Sequence, residues 1–193
     1  NTSQDRTYYY ETFPSNKLEL GLWLESERML HPVIDQVGVD TQNEVVKEEK
    51  RQRYDAPYGK LLKVLNENLF KVHPYKDENI GKMEHLDAAT LEEFMAYHKT
   101  YYGPNNAVLI VAGDIDTQET IGLVKKYFDE VPRGNEVVRN FPKEEPISEN
   151  VRAIAYDRNI QIPMLLSSFR TPGFASRDSY VLDMISTYLS SGK

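Results

Sequence analysis

The stretch DTQNEVVKEEKRQR, residues 40–53, decides how the rest of the chain is interpreted. Thr41 and Glu44 have the spacing of a capping box, in which each side chain accepts a hydrogen bond from a backbone N–H group at a helix start. The stretch therefore predicts a helix that begins at about Thr41.

One face of this predicted helix carries Gln42, Val46 and Glu49. Seven residues advance a helix by about 700°, close to two full turns, and by about 10 Å along its axis. An amide and a carboxylate then lie beside an apolar residue, an arrangement that can form a site. Glu49 and Arg53 also have the acid-before-base spacing of an exposed ion pair, and the high charge of the helix favours this second interpretation.

The composition predicts a globular protein of one domain or one domain and part of another. The chain has 193 residues, of which 40% are hydrophobic, and this is enough to bury a core. Its net charge of −7 argues against nucleic acid or an anionic membrane surface as partner. The chain contains no cysteine, so disulfides, a thiol nucleophile and zinc–thiolate ligands are excluded. No apolar run approaches the roughly 18 residues that span a bilayer, and the compartment stays open.

Apolar periodicity predicts both helices and strands in the first two thirds of the chain. Residues 7–13, TYYYETF, are rich in aromatic and β-branched residues and indicate a strand. Residues 107–112, AVLIVA, form a short apolar run that is typical of a strand covered on both faces. Helical spacing predicts further helices, with capping pairs Asn16/Glu19, Thr90/Glu93 and Asp116/Glu119, at about 16–31, 61–70, 87–102 and 116–128.

The organisation of the chain changes near residue 132. Residues 134–150 contain prolines and a charged run without sustained periodicity, which predicts a linker. Beyond it, residues 151–156 and 160–169 indicate two strands, and residues 180–189 indicate a helix. Two strands and one helix cannot bury a core of their own, so residues 151–193 are expected to open a second domain. We therefore expect the chain to be a fragment that is cut at both ends.

Most common catalytic motifs are missing from the sequence. The four histidines, His31, His73, His85 and His98, are never three or four residues apart, so no two of them can share one helical turn as metal ligands. There is no G-x-S-x-G elbow, phosphate-binding glycine loop or dinucleotide fingerprint. His98, on an apolar helix face, is more typical of a core histidine than of a ligand.

A family resemblance favours the interpretation of the Glu49 face as part of a site over that of an exposed ion pair. The ordered segments NTSQDRTYYYETFPSNKLELGLWLESERM, QNEVVKEEKRQRYDAPYGKL, LFKVHPY with IGKMEHLDAAT, and YYGPNNAVLIVAGDID resemble the pitrilysin family of zinc metallopeptidases. Insulin-degrading enzyme and mitochondrial processing peptidase also belong to this family, whose members are called inverzincins. The resemblance implies an α+β fold class with repeated sheet-and-helix domains that close over an unfolded peptide. It maps residues 1–133 onto the later part of the first domain, truncated at its N-terminus, and residues 151–193 onto the start of a second similar domain.

The resemblance also implies a zinc site that this chain only partly contains. In the family, an H-x-x-E-H helix provides two histidine ligands and a glutamate general base, and a later helix provides a glutamate as third ligand. Glu49 matches that third ligand, with Glu48 as the alternative if the register differs by one residue. Gln42 stands where the family often has an accessory acid, and an amide cannot act as a base. Residues Asn1, Thr2 and Ser3 fall where the family binds substrate at a strand edge.

The sequence therefore predicts a central fragment of a zinc-dependent metalloendopeptidase that hydrolyses unfolded peptides. The chain alone is expected to be inactive, because the H-x-x-E-H helix is not among its residues. The alternative is a noncatalytic partner or peptide-binding subunit of the same fold, which associates with an active homologue. A third possibility, a self-standing α/β domain without metal, requires both chain ends to be natural.

Overall fold

The computed structural model describes residues 1–190, and helices dominate this part of the chain. The α-helices are α1 (Leu18–Leu30), α2 (Gln36–Asp55), α3 (Leu61–Leu69), α4 (Met83–Ala88), α5 (Leu91–Tyr101), α6 (Thr117–Phe128) and α7 (Arg177–Ser190). Short 3-10 turns lie at Ser15–Lys17, Pro74–Lys76 and Pro104–Asn106. Among residues 1–190, no helix has both the length and the apolar character needed to cross a membrane.

The chain divides into two compact units. The first consists of Asn1–Arg53 and Glu78–Phe141, and the second of Tyr54–Asp77 and Pro142–Lys193. Residues 191–193, which end the predicted second domain, lie outside the described residues. The predicted domain limits at residues 133 and 151 stay a prediction.

In the first unit, α1 packs against α6. Leu22 of α1 is 3% exposed, and Ser26 on the same helix is buried with its hydroxyl donating to the carbonyl of Trp23 at 2.8 Å. Thr120 is buried on α6. At the edge of this contact, the Glu19 carboxylate of α1 accepts from Lys126 Nζ at 2.6 Å and from the Tyr127 hydroxyl at 2.7 Å, both on α6. The helical periodicity predicted for α1 and α6 is therefore confirmed, with their buried faces in contact.

In the second unit, the carboxylate of Glu144 holds the loop that follows α3. Its Oε1 atom accepts from the backbone N–H groups of Lys71, Val72 and His73 at 2.7, 2.6 and 2.7 Å. Arg170 Nη1 lies 3.5 Å from the other oxygen, Oε2. The N–H of His73 first, and then those of Val72 and Lys71 with the Arg170 charge, lower the pKa of Glu144 below its ordinary value. Residues 142–150 have no regular structure, and this contact attaches them to the loop that follows α3. The linker at residues 134–150 stays a prediction.

Two predicted helix starts require correction. Helix α2 begins at Gln36, earlier than predicted, because Asp35 caps it by accepting from the N–H of Gly38 at 2.7 Å. The Thr41 hydroxyl instead donates to the carbonyl of Val37 inside the helix at 2.7 Å, so it does not form a capping box. Helix α1 likewise has no side-chain cap, since Lys17 occupies the N-cap position rather than Asn16.

The other two capping predictions are confirmed in part or in full. Thr90 and Glu93 form a complete capping box, as predicted. The box lies at the start of α5, which begins at Leu91, whereas the prediction placed it inside one helix over about 87–102. The separate helix α4 precedes it. At α6, the Asp116 side chain accepts from the N–H of Glu119 at 2.8 Å, as predicted.

The predicted strands are not found, and the α+β fold class is not confirmed. Within residues 1–190, the β-pairing is one isolated antiparallel bridge, between Thr2 and Thr7. The segments 7–13, 107–112, 151–156 and 160–169 contain no strand. A strand needs a second backbone segment for its hydrogen bonds, so suitable side chains do not by themselves produce one. No described segment pairs with 107–112, and its Val108 is 86% exposed.

Candidate functional site

Glu49 lies on α2 with its carboxylate at the surface. Its Oε1 atom accepts from Arg53 Nη2 at 2.9 Å, and the two side chains are 59% and 46% exposed, respectively. The exposed ion pair that the spacing predicted is therefore present. Pairs of this kind contribute about 0 to 1 kcal/mol, so the carboxylate can exchange Arg53 for another cation at little cost.

The other two predicted site residues of this region, Gln42 and Glu48, lie on the same helix. Gln42 is exposed, seven residues before Glu49. Glu48, the alternative ligand, is engaged on both oxygens, because it accepts from Arg51 Nη1 at 3.3 Å and from Gln52 Nε2 at 3.2 Å. The Glu49 carboxylate accepts from one side chain, on Oε1, whereas each oxygen of Glu48 accepts from a side chain, so Glu49 has fewer existing contacts to give up for another cation.

Another face of this part of α2 forms a polar seam with residues 78–87. Asn43 Nδ2 donates to the carbonyl of Leu86 at 3.1 Å, and Lys47 Nζ lies 2.5 Å from Asp87 Oδ1. Lys50 Nζ donates to the carbonyl of Gly81. We call Asn43, Lys47, Lys50 and their partners the polar seam. The sequence analysis missed it, although the spacing of four and three residues places these three side chains on one helical face.

Asn1, Thr2 and Ser3 form a tight turn with residues 6–8. The N–H of Tyr8 donates to the carbonyl of Asn1 at 2.7 Å, and the N–H of Ser3 donates to the carbonyl of Arg6 at 2.8 Å. Asn79 Nδ2 donates to the carbonyl of Thr2 at 3.5 Å. The edge of this segment that faces residues 6–8 is therefore already bonded within the chain.

The structure does not bring the histidines together as a metal site. His31 Nδ1 lies 2.8 Å from Glu27 Oε2, His73 Nδ1 accepts from the N–H of Tyr75 at 3.2 Å, and the His98 ring stacks on Tyr102. Among residues 1–190, no three His, Asp or Glu side chains form a group that could hold a metal ion. The Glu49 carboxylate is exposed and suits a single oxygen ligand of zinc.

Tyr102 belongs to an aromatic cluster with Tyr9. Their hydroxyl oxygens are 3.2 Å apart, and burial, followed by the hydrogen bond with Tyr9, raises the pKa of Tyr102 to about 12. The guanidinium of Arg28 lies over the Tyr9 ring, 4.6 Å from its centre. The cluster attaches the N-terminal segment to the C-terminal end of α5, and the raised pKa keeps the Tyr102 phenol protonated at neutral pH.

Comparison with known proteins shows which family the chain resembles. Zinc protease PqqE of Helicobacter pylori is 29% identical over 195 residues, which cover 100% of this chain and 44% of that protein. A protein of Mycobacterium leprae described as an uncharacterized zinc protease is 27% identical over 197 residues, which cover 99% of this chain and 43% of that protein. The chain thus spans less than half the length of these relatives.

A solved structure supports the same relationship. The crystal structure of a protease from Helicobacter pylori is 29% identical in sequence and superimposes with a TM-score of 0.62, covering 68% of this chain and 32% of that one. The family described as Peptidase M16 inactive domain matches residues 88–193. Since this match covers more than half of the residues, the chain belongs to the pitrilysin-like peptidase M16 family.

Proposed function

We propose that this chain is part of a zinc metallopeptidase that hydrolyses unfolded peptides, and that Glu49 is one of its zinc ligands. The observation that carries the proposal is the accessible Glu49 carboxylate on α2, at the position where the family resemblance implies a ligand. Relatives named zinc proteases align with 99% to 100% of the chain, which includes this helix.

The residues of α2 have distinct roles in this proposal. Bound zinc supplies the Lewis acidity needed for attack on a peptide carbonyl. Glu49 would provide one negatively charged oxygen to the zinc, and that oxygen would then no longer accept from Arg53. Gln42 can donate or accept a hydrogen bond beside this position, but its amide cannot take up a proton as a general base. A base and the remaining ligands must therefore come from other residues.

We propose that the two histidine ligands and the general base belong to an H-x-x-E-H helix outside this chain. The chain by itself is then inactive. Within residues 1–190, no three His, Asp or Glu side chains form a group that could hold a metal ion, so in this proposal the other ligands come from elsewhere. The α+β architecture, the domain limits at residues 133 and 151, and a substrate edge at Asn1, Thr2 and Ser3 belong to the same proposal.

The matched family description favours one alternative function. Residues 88–193 match an inactive domain, and Glu49 lies outside this range. The whole protein could therefore be a noncatalytic subunit that binds a peptide or a homologous active partner. The two functions differ in metal content, since only the peptidase needs a zinc ligand at Glu49.

The test is zinc content and cleavage of an unfolded peptide by the full-length protein that contains this chain. Wild type is compared with Glu49→Gln, which keeps the shape of the side chain and removes its charge, and with Glu48→Gln as matched control. We expect wild type to hold about one zinc per site. Glu49→Gln should lose both zinc and cleavage, while Glu48→Gln should keep both.

Two results would contradict the proposal. If Glu49→Gln binds zinc and cuts as wild type does, Glu49 is only the surface partner of Arg53. If wild type binds no zinc and cuts no peptide, the noncatalytic subunit is the better description.

A further inference from the structure

The polar seam contains a buried cation directly beside the proposed zinc ligand. Lys50 is 6% exposed, although it lies on a helix whose neighbouring residues are largely at the surface. Its Nζ atom donates to the carbonyl of Gly81 and lies 3.8 Å from Glu78 Oε2. The Glu78 side chain is itself only 12% exposed. An ammonium group that is removed from water in this way requires such partners to offset its lost hydration.

The partners of Lys50 have a defined geometry. Gly81 has a φ of 77°, in the left-handed region where glycine is favoured over other residues. Gly81 is also the residue whose carbonyl accepts from Lys50. The loop therefore presents an acceptor at a set position, and Glu78 adds a negative charge to the same place.

The seam holds α2 at three successive levels. Asn43, Lys47 and Lys50 contact Leu86, Asp87 and the pair Gly81 and Glu78, in that order. Their spacing of four and three residues covers two helical turns on one face. Directional contacts at both ends of such a face oppose sliding of the helix along its axis and rotation about it.

Rotation of α2 controls where the Glu49 carboxylate lies. Consecutive residues point about 100° apart around a helix, and side-chain tips lie about 5 to 6 Å from its axis. A rotation of about 10° therefore moves the carboxylate by about 1 Å, while metal–ligand distances are kept within about 0.2 Å. Because Lys50 is the next residue after Glu49, its contacts set the rotation of α2 about its axis at the position of Glu49.

We propose that Lys50 is a positioning residue, which through Gly81 and Glu78 fixes the rotation of α2 and thereby the approach of Glu49 to zinc. This inference rests on the proposed function, in which Glu49 is a ligand. Groups that orient a ligand without touching the metal commonly change metal affinity by about 10- to 100-fold when they are removed.

The test measures the zinc dissociation constant of the full-length protein, together with the absorption spectrum of its cobalt-substituted form and the thermal unfolding of its metal-free form. Lys50→Met keeps most of the length of the side chain and removes the ammonium. Glu78→Gln keeps Lys50 and removes its anionic partner. Arg51→Met is the matched control, because Arg51 lies on the same helix, is 53% exposed and contacts Glu48 rather than the seam.

We expect Lys50→Met to raise the zinc dissociation constant about 10- to 100-fold and to shift the cobalt spectrum. Glu78→Gln should produce a smaller change in the same direction, and Arg51→Met should stay within about twofold of wild type. If Lys50→Met does not fold, Glu78→Gln decides. The inference is overturned if the folded seam variants are less stable but bind zinc with wild-type affinity and spectrum.

Glu49→Gln separates this inference from the proposed function. If Glu49→Gln loses zinc while both seam variants bind it normally, Glu49 is a ligand and only the positioning role is wrong. If Glu49→Gln binds zinc as wild type does, the ligand assignment fails, and the positioning role fails with it.

Discussion

Helix α1 and the segment 107–112 are both rich in apolar residues, but they differ in what those residues achieve. Leu22 of α1 is 3% exposed in the contact with α6, whereas Val108 and Ile110 are 86% and 73% exposed. A helix satisfies its backbone within its own sequence and presents one apolar stripe. An extended segment needs a second segment for the same purpose. The contrast shows that apolar content alone does not predict burial.

The largest expected effect tests this contrast directly. Leu22→Ala should lower the free energy of unfolding of the 193-residue chain by about 3 kcal/mol, because it removes buried methyl groups and leaves a cavity. Val108→Ala, the matched control, should change it by less than about 0.5 kcal/mol. Urea titration followed by the fluorescence of Trp23 measures both. Equal losses would show that Val108 is buried in solution, and the comparison would then fail.

A second prediction concerns two identical local patterns, Thr-x-x-Glu, at residues 41–44 and 90–93. Thr90→Ala should lower the free energy of unfolding by about 1 kcal/mol, since it removes the N-cap of α5. Thr41→Ala should change it by less than about 0.5 kcal/mol, because Thr41 lies inside α2 and alanine favours a helix interior. The same urea titration applies. A larger loss for Thr41→Ala would mean that α2 starts at residue 41 after all.

The smallest effect concerns residues 71–73, whose backbone N–H groups are bonded by the side chain of Glu144 and not by a neighbouring strand. Glu144→Gln should weaken the attachment of the linker to residues 71–73, while its amide oxygen still accepts one or more of the backbone donors. Glu145→Gln, at the next position, is the matched control. Proteolysis of the linker and thermal unfolding of the chain measure the loss.

The pH dependence of this effect has a definite sign. The folded state lowers the pKa of Glu144 from its ordinary value of 4.5, so the stabilisation is fully present above pH 4.5. It is lost as the pH falls from that value through the folded-state pKa. The stability difference between wild type and Glu144→Gln should therefore be constant near neutral pH and shrink in acid. A difference that grows in acid would contradict the assignment.

The candidate site could be predicted in part from the sequence. The helix of Glu49 and its ion pair with Arg53 follow from spacing within one segment, and both are observed. The ligand role of Glu49 came from the family resemblance and stays a prediction. The polar seam was missed, because the partners of Lys50 lie about thirty residues further along the chain and no local pattern connects them.

The sequence by itself determined the elements whose hydrogen bonds close within a few residues. Helices α1, α3, α6 and α7, the caps at Thr90 and Asp116, and the family of the chain all belong to this group. Only the tertiary structure decided that Lys50 is buried and that Glu144 binds a distant loop. It also showed that, within residues 1–190, the segments predicted as strands do not form the backbone hydrogen bonds of a β-sheet. The physical reason is that burial and strand pairing depend on which residues meet in space, and periodicity within one segment does not contain that information.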